Sequence, residues 1–444
     1  MKAGAAERDV TPPVGTVINH PPRESVGVHD PLFVRALLLD DEAGTTVGIL
    51  CCDLIGAGFE VAEEVGERLR AQLGIQHLLL NCSHPHSSVG LGPRSCEGNE
   101  ITDAAKWNDG VHDAIMEMFT EARDSAVAVT LKAGRAPAQV GFNRRIVKDD
   151  GFATMGPNRD APAVPWVNVL VAEAVDSGKP VAMIFQHTAH PVIVPDTSCL
   201  ISADYPGAAV ARIHEELGDD VVALFGQGCC GNINGFPLRT THENADKAGR
   251  ELGEAALKAV AEAVPIKADK IEFRVAHSTL PAHELPTMEL WQQVVDHLTA
   301  AYEKHDNPWL PEDVYRGRMK GFEDLKAVIE RGEEPPPWRM DVYALMLGSE
   351  WCLIAMPNEM FCQYELWVDE AAPFDRTMTF GYTNGGAGYV GVDEAWAMGE
   401  RGGYEAACLP NWGGHGTCTR HFGPPAVGGE QIIKDTIAAC WQKA

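Results

Sequence analysis

The stretch His77-Leu78-Leu79-Leu80-Asn81-Cys82-Ser83-His84-Pro85-His86-Ser87-Ser88-Val89-Gly90, "HLLLNCSHPHSSVG", decides how the rest of this chain is read. An apolar run of strand length ends, and the chain at once presents two histidines flanking a proline. Upstream, "FEVAEEVGERLRAQLG" (Phe59 to Gly74) has apolar residues at helical spacing and a glycine where a C-cap belongs. Before it, "PLFVRALLLDDEAGTTVGILCCDLIG" reads as two strands joined at Asp41-Glu42-Ala43-Gly44. The strand–helix–strand order predicts a βαβ unit. It puts His84 and His86 in the loop past the carboxyl end of the second strand, where α/β sheets place their sites.

The same pattern returns downstream. "KPVAMIFQHTAHPVIV" (Lys179 to Val194) and "VVALFGQGCCGNING" (Val221 to Gly235) are apolar strands running into histidine- or glycine-rich loops, with a helix-like "YPGAAVARIHEEL" between them. A helix over Ala245 to Val264 closes that block. From about Met288 to Glu334 the sequence turns polar and helical and ends in "RGEEPPPW", as an inserted excursion would: a lid, a dimer arm or neither. After it, "MDVYALMLGSEWCLIAMPNE" returns to strand-like alternation. No internal repeat, low-complexity segment or strong linker is legible, so the expectation is one α/β domain over residues 1–444 with a helical insertion at about 288–334.

The totals narrow the function classes. The chain has 444 residues, is 45% hydrophobic and 22% charged, and carries a net charge of -27, which is a soluble globular composition. That charge would meet repulsion from nucleic acid or an anionic membrane surface, so neither is expected as a partner. The N-terminus has acids where a signal peptide needs an apolar segment, and no apolar stretch is long enough to span a bilayer. A cytoplasmic address is the expectation. Most of the 12 cysteines, including the adjacent pairs Cys51-Cys52 and Cys229-Cys230, read as small buried hydrophobes, since none has zinc-finger spacing. A homo-oligomer is compatible with these totals and is not indicated by them.

His84 and His86 stand two apart, and Pro85 stiffens the backbone between them, so both can point at one centre as half of a metal site. Taken alone, the pair reads more simply as a polar loop. His187 and His190 add a second strand that ends in histidine, with Pro191 fixing an extended backbone at His190. Each of these also has a plain reading as a satisfied strand-end imidazole.

A resemblance then links the pieces. In order, "RDVTPPVG", "HDPLFVRALLLD", "SHPHSSVG", "FNRRI", "AHPVIV", "SADYPG", "GQGCCGNING", "AMPNEMF" and "GYVGVDEAWAMGERGGYE" resemble the N-terminal catalytic domain of the neutral ceramidase family, a zinc amidase, from Arg8 to Glu405. The resemblance implies a mixed, multi-layer α/β domain of sheets and helices. It implies Zn2+ held by His84, by His190, by Glu359 of "PNE" (Asn358 replacing the family's glycine) and by Tyr389 of "GYV". His86 then falls on the family's proton-transfer histidine, and imidazoles titrate in the range such a role needs. Arg144 falls on its active-site arginine, suited to a developing oxyanion or a substrate carboxylate, and Tyr404 on a hydrogen-bond donor beside it.

Two departures redirect the function. Where ceramidases carry Gly-Asp-x-Ser-Pro, this chain has Gly231-Asn232-Ile233-Asn234-Gly235, so the acid and the serine are gone. Asn232 and Asn234 remain as expected substrate-binding residues. They are not a phosphate loop, because no Gly-Lys-Ser/Thr follows. The chain also ends soon after the "YE" segment, without the extra C-terminal domain of long ceramidases. The expectation is a zinc-dependent hydrolase that opens an amide, ester or lactone bond of a small soluble substrate by a metal-activated water. A lactonase or isomerase on the same centre and a non-catalytic ligand-binding member are the alternatives. Trp107, Trp166, Trp396 and Trp412 are candidates for lining a pocket, with simple core packing as their other reading.

Overall fold

The computed structural model describes residues 1–19, 21–95, 102–307, 310–386, 388–407 and 423–442. The two strands and the βαβ unit expected from the opening stretch are present as Phe33–Asp40, Thr46–Cys52 and His77–Cys82, with the helix Phe59–Leu73 between the last two. That helix stops at Gly74, whose φ of 72° is left-handed and whose N–H caps the Arg70 and Leu69 carbonyls. Thr46–Cys52 and His77–Cys82 pair in parallel, as a βαβ crossover requires.

These strands belong to a nine-stranded sheet. Its path runs Val222–Gln227, Pro180–His187, Trp166–Ala174, Val127–Pro137, Lys2–Asp9, Phe33–Asp40, Thr46–Cys52, His77–Cys82, with Val264–Pro265 paired off the path. Two pairs in it are parallel, Thr46–Cys52 with His77–Cys82 and Pro180–His187 with Val222–Gln227, and the others are antiparallel. Side-chain alternation sorts the strands' two faces into separate cores. Leu50 and Leu80 pack under the helices Phe59–Leu73 and Asp103–Asp124, and Phe185 and Phe225 under Asp204–Leu217 and His242–Ala261. On the opposite face Ile49, Leu79, Ile184 and Leu224 meet Leu345, Leu353 and Phe380 of a second sheet. Each such side chain contributes roughly 1.5–3 kcal/mol on burial.

The second sheet has four strands, Ile271–Leu280, Trp338–Leu347, Trp351–Ala355 and Arg376–Phe380, and its last pair is again parallel. Helix Gly429–Trp441 covers its far side. The segment expected as a helical excursion forms the helices Met288–Glu303 and Glu312–Arg331, which share a small core around Trp291, Leu298 and Phe322.

No repeat is legible in the sequence, yet the first sheet is built twice on one plan, strand–strand–strand–helix–strand–helix. The first copy runs from Lys2–Asp9 to Asp103–Asp124 and the second from Val127–Pro137 to His242–Ala261. Topology and burial repeat while residue identities do not, which is why inspection of the chain misses it. Asparagines tie the strand His77–Cys82 to the second copy and to the loop after Arg376–Phe380 where ladder bonds are missing. Asn81 accepts from the Gln227 N–H (2.8 Å) and donates to the Gly381 carbonyl (2.7 Å), while Asn384 pairs with the backbone of Leu80 (2.7 Å) and Leu78 (2.9 Å).

The nine described cysteines are all free, and eight of them are buried, as small hydrophobes would be. Among the described residues no helix is long and apolar enough to cross a membrane.

Candidate metal centre

The three parallel pairs of the two main sheets send their carboxyl ends to one place, and the loops that leave them carry the candidate residues. His84 follows His77–Cys82, His190 follows Pro180–His187, and Glu359 lies in the loop after Trp351–Ala355. Ring nitrogens of His84, His86 and His190 lie within 4.8 Å of one another. Glu359 Oε2 is 3.0 Å from His190 Nε2 and 3.7 Å from His84 Nε2. The four residues expected at the centre from the two His-Pro loops and "PNE" are therefore together.

Both buried imidazoles are oriented from behind. His84 Nδ1 bonds the Ile55 carbonyl, and His190 Nδ1 lies 2.6 Å from the Cys230 and 3.0 Å from the Ile233 carbonyl oxygens. A carbonyl can only accept, so Nδ1 carries the proton in each ring and the Nε2 lone pairs face Glu359. Histidines that bind metals are held in this way. Burial pushes the Glu359 carboxyl up, and the positive charge of the His84 and His190 imidazoles when they are protonated, with that of Arg144, outweighs it and holds the carboxyl well below the ordinary carboxylate range. Two imidazole nitrogens and a carboxylate, converging and already ionised as ligands must be, fit a divalent ion such as zinc.

The backbone is strained here. His84 (φ 68°), Asn358 (φ 70°), Tyr382 (φ 49°) and Asn384 (φ 57°) are all left-handed without being glycine. Each such residue costs of order 1–3 kcal/mol, and such strain clusters at functional sites. A cavity of about 260 Å³ opens beside the cluster, with His84, Glu359 and Tyr382 on its floor and the backbone of Gly56, Gly58, Gly385 and Gly386 in its walls. That is below the roughly 300–1,000 Å³ of sites for drug-sized ligands.

A second group adjoins the first. Arg144, 4% exposed, donates from Nε to Glu405 (2.7 Å) and from Nη1 to the Asn234 side-chain oxygen (2.9 Å). Its Nη2 is buried without a hydrogen-bonded acceptor. Glu405 also bonds Arg145 (2.5 Å), so two guanidinium groups share one carboxylate and one positive charge is left over. The rings of Tyr389 and Tyr404 lie 5.3 and 5.6 Å from the Arg144 guanidinium. Burial pushes the Tyr404 phenol up to about 12, so it stays a donor at neutral pH.

Asn232 is placed differently. Its oxygen accepts from the Cys362 N–H and its amide donates to Gln363, both at 2.9 Å, so it brackets the glycine-rich loop to helix Cys362–Ala371. His187 takes its plain reading. Its Nδ1 faces the Trp166 carbonyl at 2.8 Å and its Nε2 accepts from the Val140 N–H, while burial lowers its pKa to about 4. Trp107, Trp166 and Trp396 pack in the cores, and Trp412 lies outside the described residues. Tyr382 was not expected. It is one of the 8 tyrosines, stands in no motif singled out above, and only the fold brings it to His190.

The fold is that of the neutral ceramidases. The neutral ceramidase of Pseudomonas aeruginosa superposes on 99% of this chain and 74% of its own, with a TM-score of 0.68 and 16% identity. A structure described as ceramidase complexed with C2 covers 99% and 75%, with a TM-score of 0.70 and 16% identity. No family model matches the chain, and no curated protein does.

Proposed function

We propose that the chain is a zinc-dependent hydrolase that cleaves an amide, ester or lactone bond of a small soluble substrate. The observation that carries this reading is the convergence of His84 Nε2, His190 Nε2 and Glu359 Oε2, with each imidazole's other nitrogen fixed to a carbonyl. A divalent metal bound there polarises a substrate carbonyl and acidifies a water.

The protein's own groups divide the remaining work. His84, His190 and Glu359 hold the metal, together with a tyrosine; Tyr389 is the one the family resemblance implies. His86, its ring centroid 5.2 Å from that of His84, takes a proton from the attacking water and returns it to the leaving amine or alcohol. Arg144, fixed by Glu405 and Asn234, offers Nη2 to the developing oxyanion or to a substrate carboxylate, and Tyr404 donates beside it. Asn234 stands where the ceramidases have serine. An amide cannot attack, so water is the nucleophile and no acyl-enzyme forms at this position. The small cavity beside His84 and the absence of the acid and serine speak for a small soluble acyl compound rather than a two-chain lipid.

The reading is tested by screening small N-acyl amides, esters and lactones with enzyme as purified, after chelator, and after zinc is returned. Turnover that chelator abolishes and zinc restores supports it. Turnover that survives complete metal removal overturns it, and tight binding without turnover favours a non-catalytic role.

A further inference from the structure

We propose that Tyr382, and not Tyr389, supplies the phenol oxygen of this centre, so that the metal's protein ligands are His84, His190, Glu359 and Tyr382. The assignment rests on the reading above that the centre holds a metal. It adds a ligand that no motif points to.

The geometry separates the two tyrosines. Tyr382 Oη lies 3.1 Å from Glu359 Oε2 and 3.3 Å from His190 Nε2. With the 3.0 and 3.7 Å separations of Glu359 from His190 and His84, this makes a set of donor atoms with nearly equal edges. Bonds of about 2.0–2.1 Å in tetrahedral array put donors roughly 3.3 Å apart, which is the range of these four separations. The Tyr382 ring is also packed on His84, with centroids 4.6 Å apart.

Tyr389 pairs with Glu359 through the backbone of a short parallel ladder, while its ring lies toward Arg144. Its ring stacks on His190 at 6.5 Å, meets Tyr404 at 5.4 Å and lies beside the Arg144 guanidinium. Among the described contacts it makes no hydrogen bond to His84, His190 or Glu359. It belongs to the arginine wall, where a phenol helps to place the guanidinium.

Backbone conformation gives a second line. Tyr382 has a φ of 49°, uncommon for a bulky side chain, and is held there by its N–H to the Asn358 carbonyl (3.1 Å) and its carbonyl to the Cys82 N–H (3.3 Å). Those two bonds anchor it to the Glu359 loop and to the strand that leads to His84. The same constraint that strains the residue delivers its phenol to the ligand cluster. The loop from Gly228 to Gly235 closes the site from the other side, with Cys230 Sγ 3.2 Å from Tyr382 Oη.

Zinc affinity is measured by chelator competition for the wild-type protein and for Tyr382→Phe, Tyr389→Phe and His190→Ala, and each is also loaded with Cu2+ and read for a phenolate-to-copper charge-transfer band. The expected result is a band and tight zinc binding in wild type and Tyr389→Phe. Tyr382→Phe should lose the band and weaken zinc at least about tenfold, with unchanged circular dichroism. A tyrosine that merely hydrogen-bonds Glu359 gives no such band. Loss of the band in Tyr389→Phe but not Tyr382→Phe, or no band in the copper-loaded wild type, overturns the assignment while leaving the centre intact. Wild-type zinc affinity in His190→Ala overturns the centre itself, and the assignment with it.

Discussion

The two copies that make up the first sheet share a framework and differ in what they hang on it. In both, the strand that opens the copy is crossed by the end of its second helix at a glycine. A Cβ at Gly4 would stand 1.7 Å from the Ala122 carbonyl oxygen, and one at Gly134 2.2 Å from that of Ala259. The exits match as well, Val129 bonding back to Met1 and Ile266 to Leu131 at 3.0 and 2.9 Å. The loops do not match. The first copy gives His84 and His86 after its fourth strand, whereas the second gives His190 after its third and the Asn232–Asn234 loop after its fourth. A duplicated frame thus carries a site with no duplicate, and chemistry is decided by the loops at carboxyl ends.

The sharpest test of that division is His86→Ala. As a proton-transfer group, His86 should be dispensable for the metal and indispensable for turnover, with a loss of roughly 10²–10⁴-fold in kcat at unchanged metal content. Metal lost together with activity would make His86 a ligand and the centre a three-histidine one, as its distance to His84 and His190 also permits.

The frame is tested at its equivalent glycines. Gly4→Ala and Gly134→Ala should each destabilise the fold by about 3 kcal/mol, read by denaturant unfolding, because backbone cannot yield to a Cβ at those distances. A large effect at one site and none at the other would break the equivalence.

A smaller asymmetry is expected in pH dependence. The second copy and its neighbours bury Asp204 and Glu365 with no ion-pair partner among the described residues, whereas the buried Asp53 of the first copy is paired with Arg35 at 2.7 Å. Burial pushes both Asp204 and Glu365 up to about 7, against the donors that surround them. The folded protein therefore holds these protons more tightly than the unfolded chain does. Their contribution to stability is full below an ordinary carboxyl value of about 4 and is lost as pH rises through 7. Glu365→Gln should flatten the fall in Tm between pH 5 and 7.5, by at most about 3 kcal/mol in stability. An unchanged slope would contradict it. Smallest is Gly317→Ala in the outlying helix Glu312–Arg331, where a Cβ meets nothing within 4 Å. It should stabilise by roughly 0.5–1 kcal/mol, the reverse of the frame glycines.

Much of the frame is legible in the chain because it is local. Periodicity marks the helix Phe59–Leu73, Gly74 marks its end, and apolar runs mark the strands on either side. The convergence of His84, His190 and Glu359 is legible only through the order of short motifs, since the three come from loops more than 100 residues apart. Tyr382 escapes because its partners are 23 and 192 residues away and nothing adjacent flags it. Asn232 escapes for a related reason. Its position in a glycine-rich loop reads as a site residue, while its bonds to Cys362 and Gln363 depend on where a distant helix docks.

The central claim, that the two copies jointly build a metal centre, is tested most directly by metal content per chain. The protein should be purified without a histidine tag or added metal and compared by mass spectrometry with His84→Ala and His190→Ala, one ligand from each copy. The wild type should carry close to one zinc per chain and either variant almost none, with the fold retained. A folded wild type without metal, or variants that keep it in full, would show that these loops build no metal centre.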